Sequence, residues 1–116
     1  MRIISTKTHG AVDYVTGAGL LAAPALLGIG DEPSAARVFR TAGAAATAYS
    51  LLTDYELGVV KVIPMPVHLA MDAASGVLLA ASPWLFGFAD KGPRYRLPYL
   101  IVGAAEVLAA LSSKTR

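Results

Sequence analysis

The stretch AASGVLLAASPWLFGFA, Ala73 to Ala89, runs for 17 residues without a charge. A helix on the surface of a soluble domain needs a polar face, and this one has no charge to place on any face. At 1.5 Å per residue it comes near the lower limit for crossing about 30 Å of hydrocarbon. Extending it back to Pro66 spans that thickness and admits one acid, Asp72. The run therefore reads as a transmembrane helix, against the competing reading of a soluble four-helix bundle with one fully buried helix. A second chargeless run of 17 residues, Tyr14 to Gly30, extends back to His9 in the same way and admits Asp13.

Composition points in the same direction. Of 116 residues, 55% are hydrophobic and 16% charged, and the mean hydropathy is +0.56; soluble domains carry roughly 25% charged residues. Ten basic residues against eight acidic leave a net charge of +2. The basic residues are scattered between apolar runs, so there is no nucleic-acid footprint and no nucleic-acid partner is expected. The absence of cysteine excludes disulfides, zinc fingers, iron–sulfur clusters and thiol nucleophiles. No phosphate-binding or dinucleotide loop occurs, and Ser75 lies on a helix without a nucleophile elbow.

Two less apolar runs complete the chain: Ala35 to Thr53, interrupted by Arg37 and Arg40, and Leu97 to Ser113, interrupted by Glu106. Asp31-Glu32-Pro33-Ser34 supplies a cap and an early proline for the second helix, Pro64 and Pro66 open the third, and Gly92-Pro93 precedes the fourth. Gly28, Gly30 and Gly87 fall at helix ends, where positive φ is useful. The connection Asp54 to Met65 contains Leu57, Val59, Val60, Val62 and Ile63, and reads as a segment lying at the headgroup level. A cleaved signal peptide is the other reading of the N-terminal run, given Arg2, Lys7 and the triplet Ala23-Pro24-Ala25. Asp13 inside its apolar core, and the repeat described next, argue against it.

A shift of 59 residues lays His9 on His68, Asp13 on Asp72, Gly17 on Gly76, Pro24 on Pro83, Gly28 on Gly87 and Asp31 on Asp90. With one further residue, Gly43-Ala44-Ala45 falls on Gly103-Ala104-Ala105. The expectation is an all-α, integral membrane four-helix bundle forming one domain over residues 1–116. It is built from two tandem two-helix repeats, about 9–54 and 66–113. Tandem two-helix units enter from the same side, giving a parallel repeat about a pseudo-two-fold axis along the membrane normal.

Ser82-Pro83-Trp84, followed by Leu85-Phe86-Gly87-Phe88, resembles the signature of the SPW repeat family; in the first copy the triplet reads Ala23-Pro24-Ala25. The resemblance implies a small bacterial membrane protein with two transmembrane helices per repeat and no settled biochemical role. Independently of it, Pro83 lacks an N–H and frees the Leu79 carbonyl, so the helix should bend or end there, with Ser82 able to bond the freed backbone. Trp84, Phe86 and Phe88 suit an interfacial aromatic belt.

His9 with Asp13 and His68 with Asp72 each share one helix face, about 6 Å apart along the axis. That face continues to Gly17 and Gly76, where α-helices one and three are expected to cross closely and then bend near Pro24 and Pro83. Glu106 is expected at similar depth and, matching Ala46, breaks the repeat. These five polar residues are the candidate site. They read first as a structural hydrogen-bonding network in a protein of structural or regulatory role, with the lipid bilayer as partner and a homo-oligomer or a larger membrane assembly as its setting. The alternatives are a proton, ion or metal module using the same cluster, and an oxidoreductase subunit holding haem or quinone. No cofactor follows from the residues themselves, nor the identity of any metal. Thr53-Asp54-Tyr55-Glu56 ends the second helix on the cluster's side and either reaches it or is solvated. Five basic residues fall at each end of the bundle, Arg2, Lys7, Lys61, Lys114 and Arg116 against Arg37, Arg40, Lys91, Arg94 and Arg96. The positive-inside count is tied and sets no orientation.

Overall fold

The computed structural model describes residues 2–115; Met1 and Arg116, the latter counted above with the terminal basic residues, lie outside the described residues. Four helices follow in order: α1 (Thr6–Leu26), α2 (Pro33–Leu51), α3 (Met65–Leu85) and α4 (Leu97–Ser112). Two short 3₁₀ turns, Ala89–Lys91 and Pro93–Tyr95, lead into α4. The described residues contain no strand beyond two isolated bridges. The molecule measures 41 × 27 × 19 Å.

Local sequence accounts for the helix limits. Ser5 caps α1 by accepting from the Thr8 N–H at 3.1 Å, and Glu32 caps α2 ahead of Pro33. Pro24 and Pro83 lie in the last turns of α1 and α3, so these helices end there instead of continuing beyond a bend. The closures are alike: Ile29 N–H donates to the Pro24 carbonyl at 3.0 Å and Phe88 N–H to the Pro83 carbonyl at 2.8 Å. Gly28 and Gly87 take φ of +68° and +76° at these exits, a conformation costly for any side chain. Gly30 does not adopt positive φ.

α1 lies along α2 and α3 along α4, while α2 also touches α3. Gly17 and Gly76 do not bring α1 and α3 together. A Cβ on Gly76 would stand 2.6 Å from the Gly103 carbonyl oxygen of α4, and one on Gly43 of α2 would stand 2.7 Å from that of Gly17. Glycine permits close approach on any side, and here the near neighbour is the hairpin partner. Each half is thus a tight pair of helices joined through paired glycines.

The two pairs are stitched at their ends. Ile4 bridges to Ser113 and Ile63 to Thr53, and Lys114 N–H donates to the Ile4 carbonyl as Asp54 N–H does to that of Ile63, both at 2.8 Å. At the opposite end, Phe39 and Tyr99 stack face to face with centroids 4.0 Å apart, and the Tyr99 hydroxyl donates to the Ala35 carbonyl at 2.6 Å. Phe88 packs beside Tyr99 and is fully buried, so it belongs to the core and not to an aromatic belt.

α3 and the segment Pro93–Ser112 are long and apolar enough to cross a membrane, each with a mean hydropathy of 1.2 over 18 residues. α1 matches α3 in length, 21 residues, and in its His–Asp pair, but Thr6, Lys7, Thr8, Tyr14 and Thr16 make it less apolar.

Replacing Gly43 or Gly103 by Ala should lower stability by about 1–3 kcal/mol, since the new methyl must displace backbone. At Gly19, where a Cβ meets nothing within 4 Å, the same change should be neutral or stabilising by up to about 1 kcal/mol. Thermal unfolding in detergent measures all three, and equal tolerance would contradict the packing.

Candidate functional site

The first turns of α1 and α3 carry His9 with Asp13 and His68 with Asp72, and the stitched end of the bundle brings these four residues together. His9 Nε2 lies 2.7 Å from Asp72 Oδ2 and 3.1 Å from Asp13 Oδ1. His68 Nε2 lies 2.9 Å from Asp13 Oδ2 and 3.1 Å from Asp72 Oδ2. Each imidazole therefore meets the carboxylate of its own helix and that of the other hairpin. Three of the four residues are buried and Asp13 is nearly so. Of the ring contacts, His9 Nε2 to Asp72 is a directed hydrogen bond. His68 Nε2 has both carboxylates within ion-pair distance but is aimed along neither, and it has no directed partner.

Hydroxyl groups fix the far side of each ring. His9 Nδ1 is 2.6 Å from Ser113 Oγ, and His68 Nδ1 is 2.6 Å from Thr53 Oγ1. A hydroxyl has one hydrogen to give. Ser113 donates its own to the Ala109 carbonyl and Thr53 its own to the Tyr49 carbonyl, both at 2.6 Å. Each hydroxyl must then accept from the ring, so Nδ1 carries hydrogen in both histidines and Nε2 faces the carboxylates. With hydrogen on both Nε2 atoms as well, two imidazolium rings balance two carboxylates and the buried group sums to zero charge, the condition under which burial is tolerable.

Two phenols complete the shell. The Tyr49 hydroxyl donates to Asp72 Oδ1 at 2.5 Å and that of Tyr55 to Asp13 Oδ2 at 2.9 Å. Tyr55 stands in the connection outside the helices, and its burial, with the Asp13 carboxylate beside it, pushes its hydroxyl well above the usual phenol range. At the rim, Thr6 donates to Glu56 Oε1 at 2.8 Å and holds that carboxyl below its usual range.

Glu106 does not join the hydrogen-bonded group. It is half-buried on the wall of a crevice of about 540 Å³ between α1 and α4, which also reaches His9, Asp13 and Asp72. Its Oε2 is shielded and unpartnered. Helical spacing sets the depth of Glu106, while the direction in which α4 turns it comes from the packing. The two imidazole centroids are 5.3 Å apart and nearly perpendicular, with carboxylate oxygens against both Nε2 atoms, so there is no room for a haem between them.

Tyr49 and Ser113 are partners beyond the sequence expectation. For Ser113 the signal is present, because in the second helix of each unit the offset is 60 and Thr53 falls on Ser113 as Phe39 falls on Tyr99; Tyr49 falls on Ala109 and carries no such signal.

The remaining motif lies at the other end of α3. The Ser82 hydroxyl donates to the Leu79 carbonyl at 2.7 Å, the acceptor that Pro83 leaves without an N–H. Trp84 is 56% exposed at the helix exit. The family model for the SPW repeat domain matches residues 7–113. The chain belongs to the SPW repeat family. No curated protein and no solved structure matches it. In this SPW repeat protein the motif closes α3, and the His-Asp cluster occupies the opposite end of the same helix.

Thr53→Val and Ser113→Ala each leave a buried ring N–H without its acceptor, and each should cost about 1–3 kcal/mol in thermal unfolding. Thr41→Val, on the exposed side of α2, should stay within about 0.5 kcal/mol. A Thr53→Val protein as stable as Thr41→Val would contradict the assigned bonding.

Proposed function

We propose that this SPW repeat protein is a multi-pass integral membrane protein crossing the bilayer four times, with a structural or regulatory role in which the His-Asp cluster joins two helical hairpins. The supporting observation is the inverted distribution of polarity. Val15, Leu26, Val77, Leu85, Ile101 and Leu108 are well exposed on three helices, whereas His9, His68 and Asp72 are buried. In water this arrangement would leave large apolar side chains exposed along three helices, the mark of a surface that meets a partner or a membrane. In hydrocarbon it is favourable, because apolar side chains face lipid and the ionisable groups face one another.

The lengths of α1 and α3 suit this reading: at 1.5 Å per residue, 21 residues reach about 31 Å, the thickness of the hydrocarbon core. α2 has 19 residues, and α4 reaches 20 with the turn that precedes it, Pro93–Ser112. Trp84 and Phe86 at the exit of α3 suit the interface, as do Leu57, Val59 and Val60 in the connection. The repeat gives the bundle a pseudo-two-fold axis along the membrane normal, on which His9 faces His68 and Phe39 faces Tyr99. The setting is the cytoplasmic membrane of a bacterium, as a small homo-oligomer or as one subunit of a larger membrane assembly.

The test uses the absence of native cysteine. Single cysteines at Ser5, Leu57 and Lys114 should label from one face of sealed vesicles, and cysteines at Asp31 and Lys91 from the other. The protein should resist salt and alkali extraction and dissolve only in detergent. Labelling of Ser5 and Leu57 from opposite faces, or a soluble monomer in plain buffer, would overturn the reading.

A further inference from the structure

The His-Asp cluster has the form of a metal centre. His9, Asp13, His68 and Asp72 each offer a ligand atom, and these atoms all lie within 4.8 Å of one another. Each Nε2 stands 2.7–3.1 Å from an oxygen of both aspartates. Tetrahedral Zn²⁺ with bonds of about 2.0–2.2 Å separates neighbouring ligand atoms by about 3.3–3.6 Å. An ion seated among these four groups needs the short nitrogen–oxygen contacts to open by some tenths of an ångström and the wider pairs, all within 4.8 Å, to close around it.

Three further features point to a ligand. His68 is fully buried, and its Nε2 is directed into the cluster without a hydrogen-bond partner. Both rings are already held by Nδ1–H on a hydroxyl, the outer bond that orients metal-ligating histidines and leaves Nε2 for the ion. Tyr49 and Tyr55 occupy Asp72 Oδ1 and Asp13 Oδ2, which leaves Asp72 Oδ2 and Asp13 Oδ1 to coordinate.

We propose that His9 Nε2, His68 Nε2, Asp13 Oδ1 and Asp72 Oδ2 form a four-coordinate site for one divalent first-row transition cation of the Zn²⁺ class. Two imidazoles in a small closed set disfavour Ca²⁺ and Mg²⁺, which take six or more oxygens, and the lack of sulfur disfavours Cu⁺. The cation replaces the two Nε2 hydrogens, which leave to solvent. Two neutral rings, two carboxylates and a dication then sum to zero charge, as the proton-filled cluster does. The crevice between α1 and α4 gives access to the site from one side, with the Glu106 carboxylate on its wall. Thr53 and Ser113 are positioning residues, acting through the rings.

The experiment takes the full, untagged chain in detergent, freed of metal by a chelator, and titrates it with Co²⁺ and then Zn²⁺. The expected result is one Co²⁺ per chain with the intense visible bands of a four-coordinate ion, displaced by Zn²⁺ but not by Mg²⁺. The wild type should also unfold at higher temperature in Zn²⁺, a reading that needs no variant. His9→Gln and His68→Gln should lose the bands. Thr53→Val should keep the spectrum but weaken affinity 10- to 100-fold, and Asp90→Asn should change nothing. Failure of the folded wild type to bind Co²⁺ or Zn²⁺ would overturn the proposal, as would binding that survives His68→Gln or a pale six-coordinate spectrum reversed by Mg²⁺. The proposal goes beyond the membrane reading, which the labelling experiment judges separately.

Discussion

Asp13 and Asp72 are carboxylates placed where water does not solvate them, and the fold is organised around balancing them. A buried carboxylate without a partner costs several kcal/mol, so its surroundings must supply either hydrogen or positive charge. Here each aspartate is met by an imidazole from its own helix and by one from the other hairpin. Separating the two halves at this end breaks the His9–Asp72 and His68–Asp13 contacts and leaves each aspartate with the imidazole of its own helix alone. Removal of one partner is accordingly more damaging than replacement of the whole set by apolar groups would be.

The rest of the bundle holds those four side chains in register. Paired glycines let α1 sit against α2 and α3 against α4 at backbone distance, giving two stiff units. The bridges of Ile4 with Ser113 and Ile63 with Thr53 tie the end of each unit to the start of the other, and they place the Ser113 and Thr53 hydroxyls behind the imidazoles. The Phe39–Tyr99 stack closes the far end. That end is held by the stack together with the Tyr99–Ala35 hydrogen bond and the exposed Lys91–Glu32 ion pair, whereas the buried charges lie at the other.

Much of this was legible in the sequence, because the same residues recur at a fixed offset. His and Asp four residues apart lie on one helix face whatever the fold, and their recurrence at a fixed offset places two such faces at equal depth. The prolines and glycines at the helix exits were equally direct, since they act on their own backbone. What stayed hidden was direction around the helix axis. Gly17 and Gly76 announce close approach but not which neighbour approaches, and the true partners were the hairpin mates Gly43 and Gly103. Glu106 lies beside Gly76, lining the crevice without joining the hydrogen-bonded group. Phe88 looked like part of an aromatic belt until the chain, leaving the helix after Leu85, folded it onto Tyr99. Ser113 is Thr53 repeated at an offset of 60, while Tyr49 falls on Ala109 and has no counterpart in the second unit to mark it.

The central claim is that charge pairing across the two hairpins is what joins them. A double-mutant cycle on Asp13 and His68, residues of different hairpins 2.9 Å apart, measures that term directly. Unfolding free energies of the wild type, Asp13→Asn, His68→Gln and the double variant, in one detergent at one pH, give the coupling energy. Coupling above about 1 kcal/mol is the result this account predicts, and additivity within about 0.5 kcal/mol would contradict it.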